Sequence, residues 1–137
     1  MKYIYKSITI LFIAFCCFRI TAQTNTMNFT FQSDSVIISG ENFTTDSVFS
    51  KTGNTLVWTQ VKNGIIDAMN FSITSSSGSW DQVTSQGNIN YVMNFDNYQC
   101  DFIVSSQNSN LTVTLTFNLN GTQVDQYIFN VDTISYQ

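Results

Sequence analysis

Residues 89–104 carry an apolar side chain at every second position of two neighbouring segments, and this period of two constrains the fold more than any other feature. On either side of Asp96-Asn97 every second residue is apolar, in the series Ile89, Tyr91, Met93, Phe95 and the series Tyr98, Cys100, Phe102, Val104. Such alternation predicts β-strands with one buried face. A two-residue turn at Asp96-Asn97 pairs the two series in reverse order, from Phe95 with Tyr98 outward to Ile89 with Val104. Because a slip of one residue would expose every member, the pattern predicts a hairpin with this register.

A second hairpin is predicted at Asn63-Gly64, the dipeptide type that most strongly favours a two-residue turn. This turn pairs Trp58 with Met69 and Leu56 with Phe71, again on one apolar face. Two independent signals, the turn residues and the apolar phase, therefore agree on one register.

A third hairpin is predicted at Asn120-Gly121, but its second strand changes phase. In simple register Val124 faces Phe117, whereas one extra residue is needed to bring the later apolar residues to the same face; these are Tyr127, Phe129 and Val131. The sequence therefore predicts a β-bulge near Asp125-Gln126.

Composition favours strands in the rest of the chain after residue 22. That part has one Ala, one Glu and four Leu, against nineteen Val and Ile and fifteen aromatic residues. We predict one all-β domain over residues 23–137, an antiparallel meander of about eight to ten strands closed as a small up-and-down barrel or folded as a two-sheet sandwich. The prediction is completed by shorter strands at residues 26–32, 35–39, 47–51 and 79–85, a turn at 86–88 and a loose segment at 74–79.

Residues 1–22 have the layout of a secretory signal peptide. Two lysines precede an apolar run at residues 8–18, and a short segment ending in Ala22 follows. The run is shorter than the roughly 20 residues that span a bilayer. We expect cleavage after Ala22 and a secreted, periplasmic or cell-surface protein with no stable membrane insertion once the signal is removed. The alternatives are a retained N-terminal anchor and lipid attachment at Cys16 or Cys17.

Removal of the signal leaves Lys51 and Lys62 against nine carboxylates, a net charge of −7, with no Arg and no His. Nucleic-acid binding depends on a basic surface, so this charge excludes nucleic acid as a partner. The lack of His removes Ser-His-Asp catalysis and His-based zinc sites. Cys100 is the one cysteine left, and its position opposite Met93 predicts a buried, unreactive thiol.

Catalysis by carboxylates is the remaining enzymatic route, and it needs two acids held close together. Asp96 falls in a turn and Asp101 on the polar face of its strand, which predicts ordinary solvated carboxylates. No Asp-rich loop of a calcium-binding type is present. We therefore expect no cofactor, no metal site and no enzymatic activity.

Trp80 is the one candidate ligand-binding residue. It lies in the polar segment 77–82, where an exposed ring is suited to stacking on a sugar, although a cap over one end of the core is the favoured interpretation. The expected function is a non-enzymatic binding module for a small apolar ligand or a carbohydrate. The alternative is a structural or adhesive surface protein that acts through strand edges. The expected partner is accordingly a small ligand, a glycan or a surface protein.

Overall fold

The structure, a computed structural model, describes residues 27–137; the predicted signal peptide lies outside this range. The described chain consists of strands joined by turns and forms one antiparallel sheet. Its strands are β1 (Phe29–Ile38), β2 (Glu41–Thr52), β3 (Thr55–Lys62), β4 (Ile65–Asp81), β5 (Gln86–Phe95), β6 (Tyr98–Gln107), β7 (Asn110–Leu119), β8 (Thr122–Asn130) and β9 (Thr133–Tyr136). Within residues 27–137 there is no helix with the length and apolarity of a membrane span.

The sheet closes on itself because β1 pairs along both of its edges. One edge pairs with β2, and the other pairs with β8 through Val36–Ile38 and with β9 through Phe29–Gln32. From β2 to β8 each strand pairs with the next one in sequence, so the fold is an eight-stranded up-and-down barrel; β9 is an additional short strand that pairs with β1. Of the two predicted architectures, the barrel is therefore correct.

The first two predicted hairpins have the predicted registers. Met93 pairs with Cys100 and Tyr91 with Phe102 across the turn at Asp96-Asn97. Across the turn at Asn63-Gly64 the strands pair as predicted from the apolar phase, Trp58 with Met69 and Leu56 with Phe71.

The third hairpin contains the predicted bulge, but one position earlier than expected. Phe117 pairs with Asp125 and Asn118 with Gln123, which leaves Val124 as the extra residue. The predicted pairing of Val124 with Phe117 is therefore wrong. The bulge turns the Val124 side chain outward, where it is exposed, and this brings Phe129 to the buried face.

Two predictions about the middle of the chain are also wrong. Residues 74–79 are not loose but belong to β4, and residues 86–88 are not a turn but begin β5; the turn lies at residues 82–85. A register shift between Ile73 and Ser75 hid the strand, because it breaks the alternation there. The hairpin contains Gly78 and Gly87, and glycine in a sequence usually indicates a loop or turn. In the structure both glycines pair with the neighbouring strand.

Aromatic rings fill the barrel along its axis. Phe49 stacks on Trp58 at 5.6 Å between ring centroids and meets Phe129 edge-on at 4.9 Å. Phe29 stacks on Phe31 at 4.1 Å and lies against Tyr91 at 6.1 Å. An eight-stranded barrel is just wide enough for side chains to fill it, and here they do.

Substitution of Gly87 tests the close approach of the β4 and β5 backbones. The φ of Gly87 is +139°, and a Cβ added there would collide with the backbone oxygen of Ser79. We expect Gly87→Ala to lower the free energy of unfolding by about 2–4 kcal/mol, since both strain and overlap oppose the methyl group. Gly53→Ala is the matched control, because Gly53 has a φ of +56° but open space around it; its expected cost is about 1 kcal/mol. Equal losses in urea unfolding would contradict a packing role for Gly87.

Candidate functional site

The turns alternate between the two ends of the barrel, as they must in an up-and-down meander. The upper end carries the turns at residues 39–40, 63–64, 96–97 and 120–121. The lower end carries the turns at residues 53–54, 82–85 and 108–109, together with the first described residue, Met27. The two ends differ in shape and in chemistry.

The upper end opens where two neighbouring hairpins diverge. β2 pairs with β1 as far as Glu41, but it pairs with β3 only from Asp46 onward, where Asp46 lies opposite Val61. β3 then ends at Lys62 and turns back into β4. The first five residues of β2 consequently have no partner on the β3 side, and a cleft separates the two hairpins.

This cleft, which we call the cup, is a cavity of about 450 Å³. Its apolar wall comes from β1, β2, β3 and β8, and its polar wall comes from the ends of β2 and β3. The lining residues are Val36, Ile38, Phe43, Thr44, Thr45, Gln60, Val61, Lys62, Asn63 and Tyr127. Phe43 and Val61 both line this cleft and are exposed at 45% and 42%, which makes its rim apolar.

The floor of the cup rests on the aromatic core. Tyr127 is half-buried and meets Trp58 edge-on at 5.6 Å and Phe117 edge-on at 5.9 Å. Burial raises the pKa of the Tyr127 hydroxyl, and the charge of Asp125 adds to the effect, so this hydroxyl is a neutral hydrogen-bonding group at physiological pH. The cup therefore combines a packed aromatic floor with a partly exposed apolar rim.

Apolar surface continues from the rim onto the β3–β4 hairpin. Val61 pairs with Ile66, so these two side chains are neighbours on one face of the hairpin. Ile65 and Ile66 are each 70% exposed. Sequence reasoning missed this site, although the adjacent pair Ile65-Ile66 directly after a polar turn breaks the alternation of the strand and was a usable signal.

Trp80, the candidate ligand-binding residue from the sequence, lies at the lower end of β4, whereas the cup is at the upper end of the barrel. Its ring is half-buried against the core, and its Nε1 donates a hydrogen bond of 2.8 Å to the Tyr136 hydroxyl. The same hydroxyl lies 2.9 Å from the Ser85 hydroxyl. Trp80 thus joins the β4–β5 hairpin to β9 and covers the end of the core, while sugar stacking on its ring stays a prediction.

The two carboxylates considered for catalysis lie in different settings. Asp96 is in the upper turn between β5 and β6, and Asp101 is on the outer face of β6. Asp101 accepts hydrogen bonds from Asn118 at 3.0 Å and from Asn90 at 3.4 Å, one from each neighbouring strand. This arrangement links three strands on the outside of the barrel. Residues 27–137 contain no group of three or more Cys, Asp or Glu side chains arranged to hold a metal ion.

A second cavity, of about 270 Å³, lies at the lower end beside the junction of β8 and β9. Hydroxyl and amide side chains dominate its lining, with Ser85, Gln86, Ser106 and Thr133 among them. Leu111, Val131 and Ile134 form its smaller apolar part, which contains no aromatic ring.

Comparisons of the chain with protein families, with curated proteins and with solved structures find no match.

Cys100 is buried opposite Met93, as predicted, and it has no place in either cavity. Burial raises the pKa of its thiol to about 11 from 9.0, and the charge of Asp101 adds to the effect. Between these two values the folded state keeps a proton that the unfolded chain has lost, so stability falls as the pH rises from about 9 to about 11.

We expect the wild-type protein to lose about 1–3 kcal/mol more stability over this pH interval than Cys100→Ala does. Urea unfolding at several pH values measures both slopes. Burial also raises the pKa values of Tyr91 and Tyr127, which adds to the loss of stability at alkaline pH. This contribution is the same in both proteins, so it cancels in the comparison. If the free energy of unfolding depended on pH identically in the two proteins, burial would not raise the pKa of the Cys100 thiol.

Proposed function

We propose that this protein is an exported, non-enzymatic binding module that holds a small, mainly apolar molecule in the cup. The observation that carries the proposal is the cavity of about 450 Å³ at the mouth of the barrel, with Phe43 and Val61 exposed on its rim. Small-molecule sites typically have volumes of about 300–1,000 Å³ and combine apolar walls with a few polar groups, and barrel mouths are a common place for them.

The filled interior supports the mouth rather than the barrel axis as the binding place. Phe49, Trp58, Phe102 and Phe129 pack ring against ring below the cup. A ligand would therefore lie between the diverging hairpins, with Tyr127 beneath it. The polar side chains of Gln60, Lys62 and the threonines of β2 are placed to orient its polar group.

Removal of the Phe43 ring tests the proposal directly. We expect Phe43→Ser to weaken binding of the neutral dye N-phenyl-1-naphthylamine roughly fivefold to tenfold, since a large part of the apolar wall is lost. Val83→Ser is the matched control, because Val83 is 95% exposed in the lower turn between β4 and β5. Dye fluorescence and its titration give the affinities. Equal affinities in both variants would remove the cup as the binding place.

Lys62 tests the orientation of the ligand. With an anionic dye, 8-anilinonaphthalene-1-sulfonate, we expect Lys62→Gln to weaken binding about twofold to fivefold, since an exposed rim charge contributes little more than that. The same variant should bind the neutral dye as the wild type does. Loss of both dyes together would indicate that the substitution disturbs the hairpin rather than an ion pair.

Strand addition is the second candidate, and one observation favours it. β4 pairs with β5 only from Ser72 onward, so the preceding residues of β4, from Ile65, form no ladder on that side among the described strands. Such an edge is open to a strand from another molecule. If this is the function, the protein should self-associate or capture peptides at high concentration, and Ile66→Lys should abolish that association. A monomer in size-exclusion chromatography at millimolar concentration would argue against self-association through this edge.

A further inference from the structure

The lower end of the barrel contains a buried ammonium group. Lys51 belongs to β2 and has the same inward phase as Ser47 and Phe49, all three of which are buried. Its side chain is only 2% exposed. A lysine in such a position is uncommon, because the charged form loses its hydration.

No carboxylate compensates for this burial. All nine side-chain carboxylates of the chain lie within residues 27–137, and none of them forms an ion pair with Lys51. Nζ donates a hydrogen bond of 2.7 Å to the backbone oxygen of Met27 and lies 5.4 Å from the centroid of the Tyr91 ring. An ammonium group has three donors, and one neutral carbonyl uses one of them.

A second buried polar group lies beside it. Tyr91 is 1% exposed, and its hydroxyl oxygen has no hydrogen-bond partner in the described structure. A buried hydroxyl without a partner costs about 1–3 kcal/mol, so native proteins rarely keep one without a reason. Replacement by Phe would have removed that cost without changing the packing.

Lys51 and Tyr91 line one cavity of about 140 Å³ between the β2–β3 turn and the bulged part of β4. Its other walls are Gly53, Asn54, Ile73, Thr74, Ser75 and Ser76. The volume equals about four to five water molecules at ~30 Å³ each. One wall is apolar, from Ile73, and the rest is polar.

We propose that this cavity binds a short-chain carboxylate through the Lys51 ammonium and the Tyr91 hydroxyl, with the carbon chain against Ile73. The site is separate from the cup and does not depend on the function proposed for it. A carboxylate supplies the negative charge that Lys51 lacks and an acceptor for the Tyr91 hydroxyl. It also fits the volume, which leaves room for a few carbon atoms and no more.

The competing explanation is purely structural, with Lys51 holding the Met27 backbone in place. Tyr91→Phe separates the two explanations, because it leaves Lys51 and its bond to Met27 intact. We expect this variant to fold at least as stably as the wild type, since it deletes an unpaired hydroxyl. It should nevertheless bind butyrate roughly tenfold more weakly, since a hydrogen bond to a charged group is lost. Tyr98→Phe, a half-buried tyrosine on β6, is the matched control and should bind as the wild type does.

Titration of the purified protein with butyrate at constant ionic strength, followed by NMR, provides the measurement. The amide signals of Gly53 and Asn54 and the Tyr91 ring signals should shift and saturate. Butyramide has the same shape without the charge and should produce no saturable shift. Lys51→Met should abolish butyrate binding. Acetylglycine imitates the carboxyl end of a peptide, and its binding alongside butyrate would identify the carboxylate alone as the recognised group.

Two results would overturn the proposal. One is equal binding of butyramide and butyrate, which would mean that charge is not recognised. The other is unchanged butyrate affinity in Tyr91→Phe, which decides the question even if Lys51→Met does not fold.

Discussion

The rest of the structure depends on the double pairing of β1, the strand that turns an open sheet into a barrel. Along one edge β1 pairs first with β9 and then with β8, and residues 33–35 lie between these two ladders. The backbone N–H of Asp34, which lies in the β1 bulge, is satisfied there by the Asp132 carboxylate at 2.8 Å. The backbone N–H of Asp132 donates in turn to the backbone oxygen of Gln32 at 2.8 Å. Without this junction one face of eight strands would stay open to water, and two long edges would be exposed.

Closure of a barrel requires that neighbouring strands are shifted along one another, and this shift creates the cup. Since β2 extends past the end of its ladder with β3, the β1–β2 and β3–β4 hairpins separate at the upper end. The apolar residues in that region have no strand to cover them, so Phe43 and Val61 remain on the rim. A cleft of this kind follows from barrel geometry, whereas its apolar lining is a property of this sequence.

The two lysines that follow the predicted signal peptide, in an otherwise acidic chain, lie at opposite ends of the barrel. One lines the cup and the other lines the small cavity at the opposite end. Burial lowers the pKa of the Lys51 ammonium, so the protein bears a cost for keeping this group inside the barrel. Lys62, by contrast, is exposed and keeps its hydration.

The sequence alone determined the all-β class, most of the strands and two registers, because period-two alternation and Asn-Gly or Asp-Asn turns are local properties of the chain. It also determined that Cys100 is buried, since its phase matches Met93 and Phe102. The bulges at Thr74 and Val124 were missed or misplaced, because a bulge is stabilised by the neighbouring strand rather than by its own residues. Only the tertiary structure decided between barrel and sandwich, exposed the cup and placed Lys51 beside Tyr91. Each of these depends on pairing between residues far apart in the chain, above all β1 with β8 and β9, which no local pattern records.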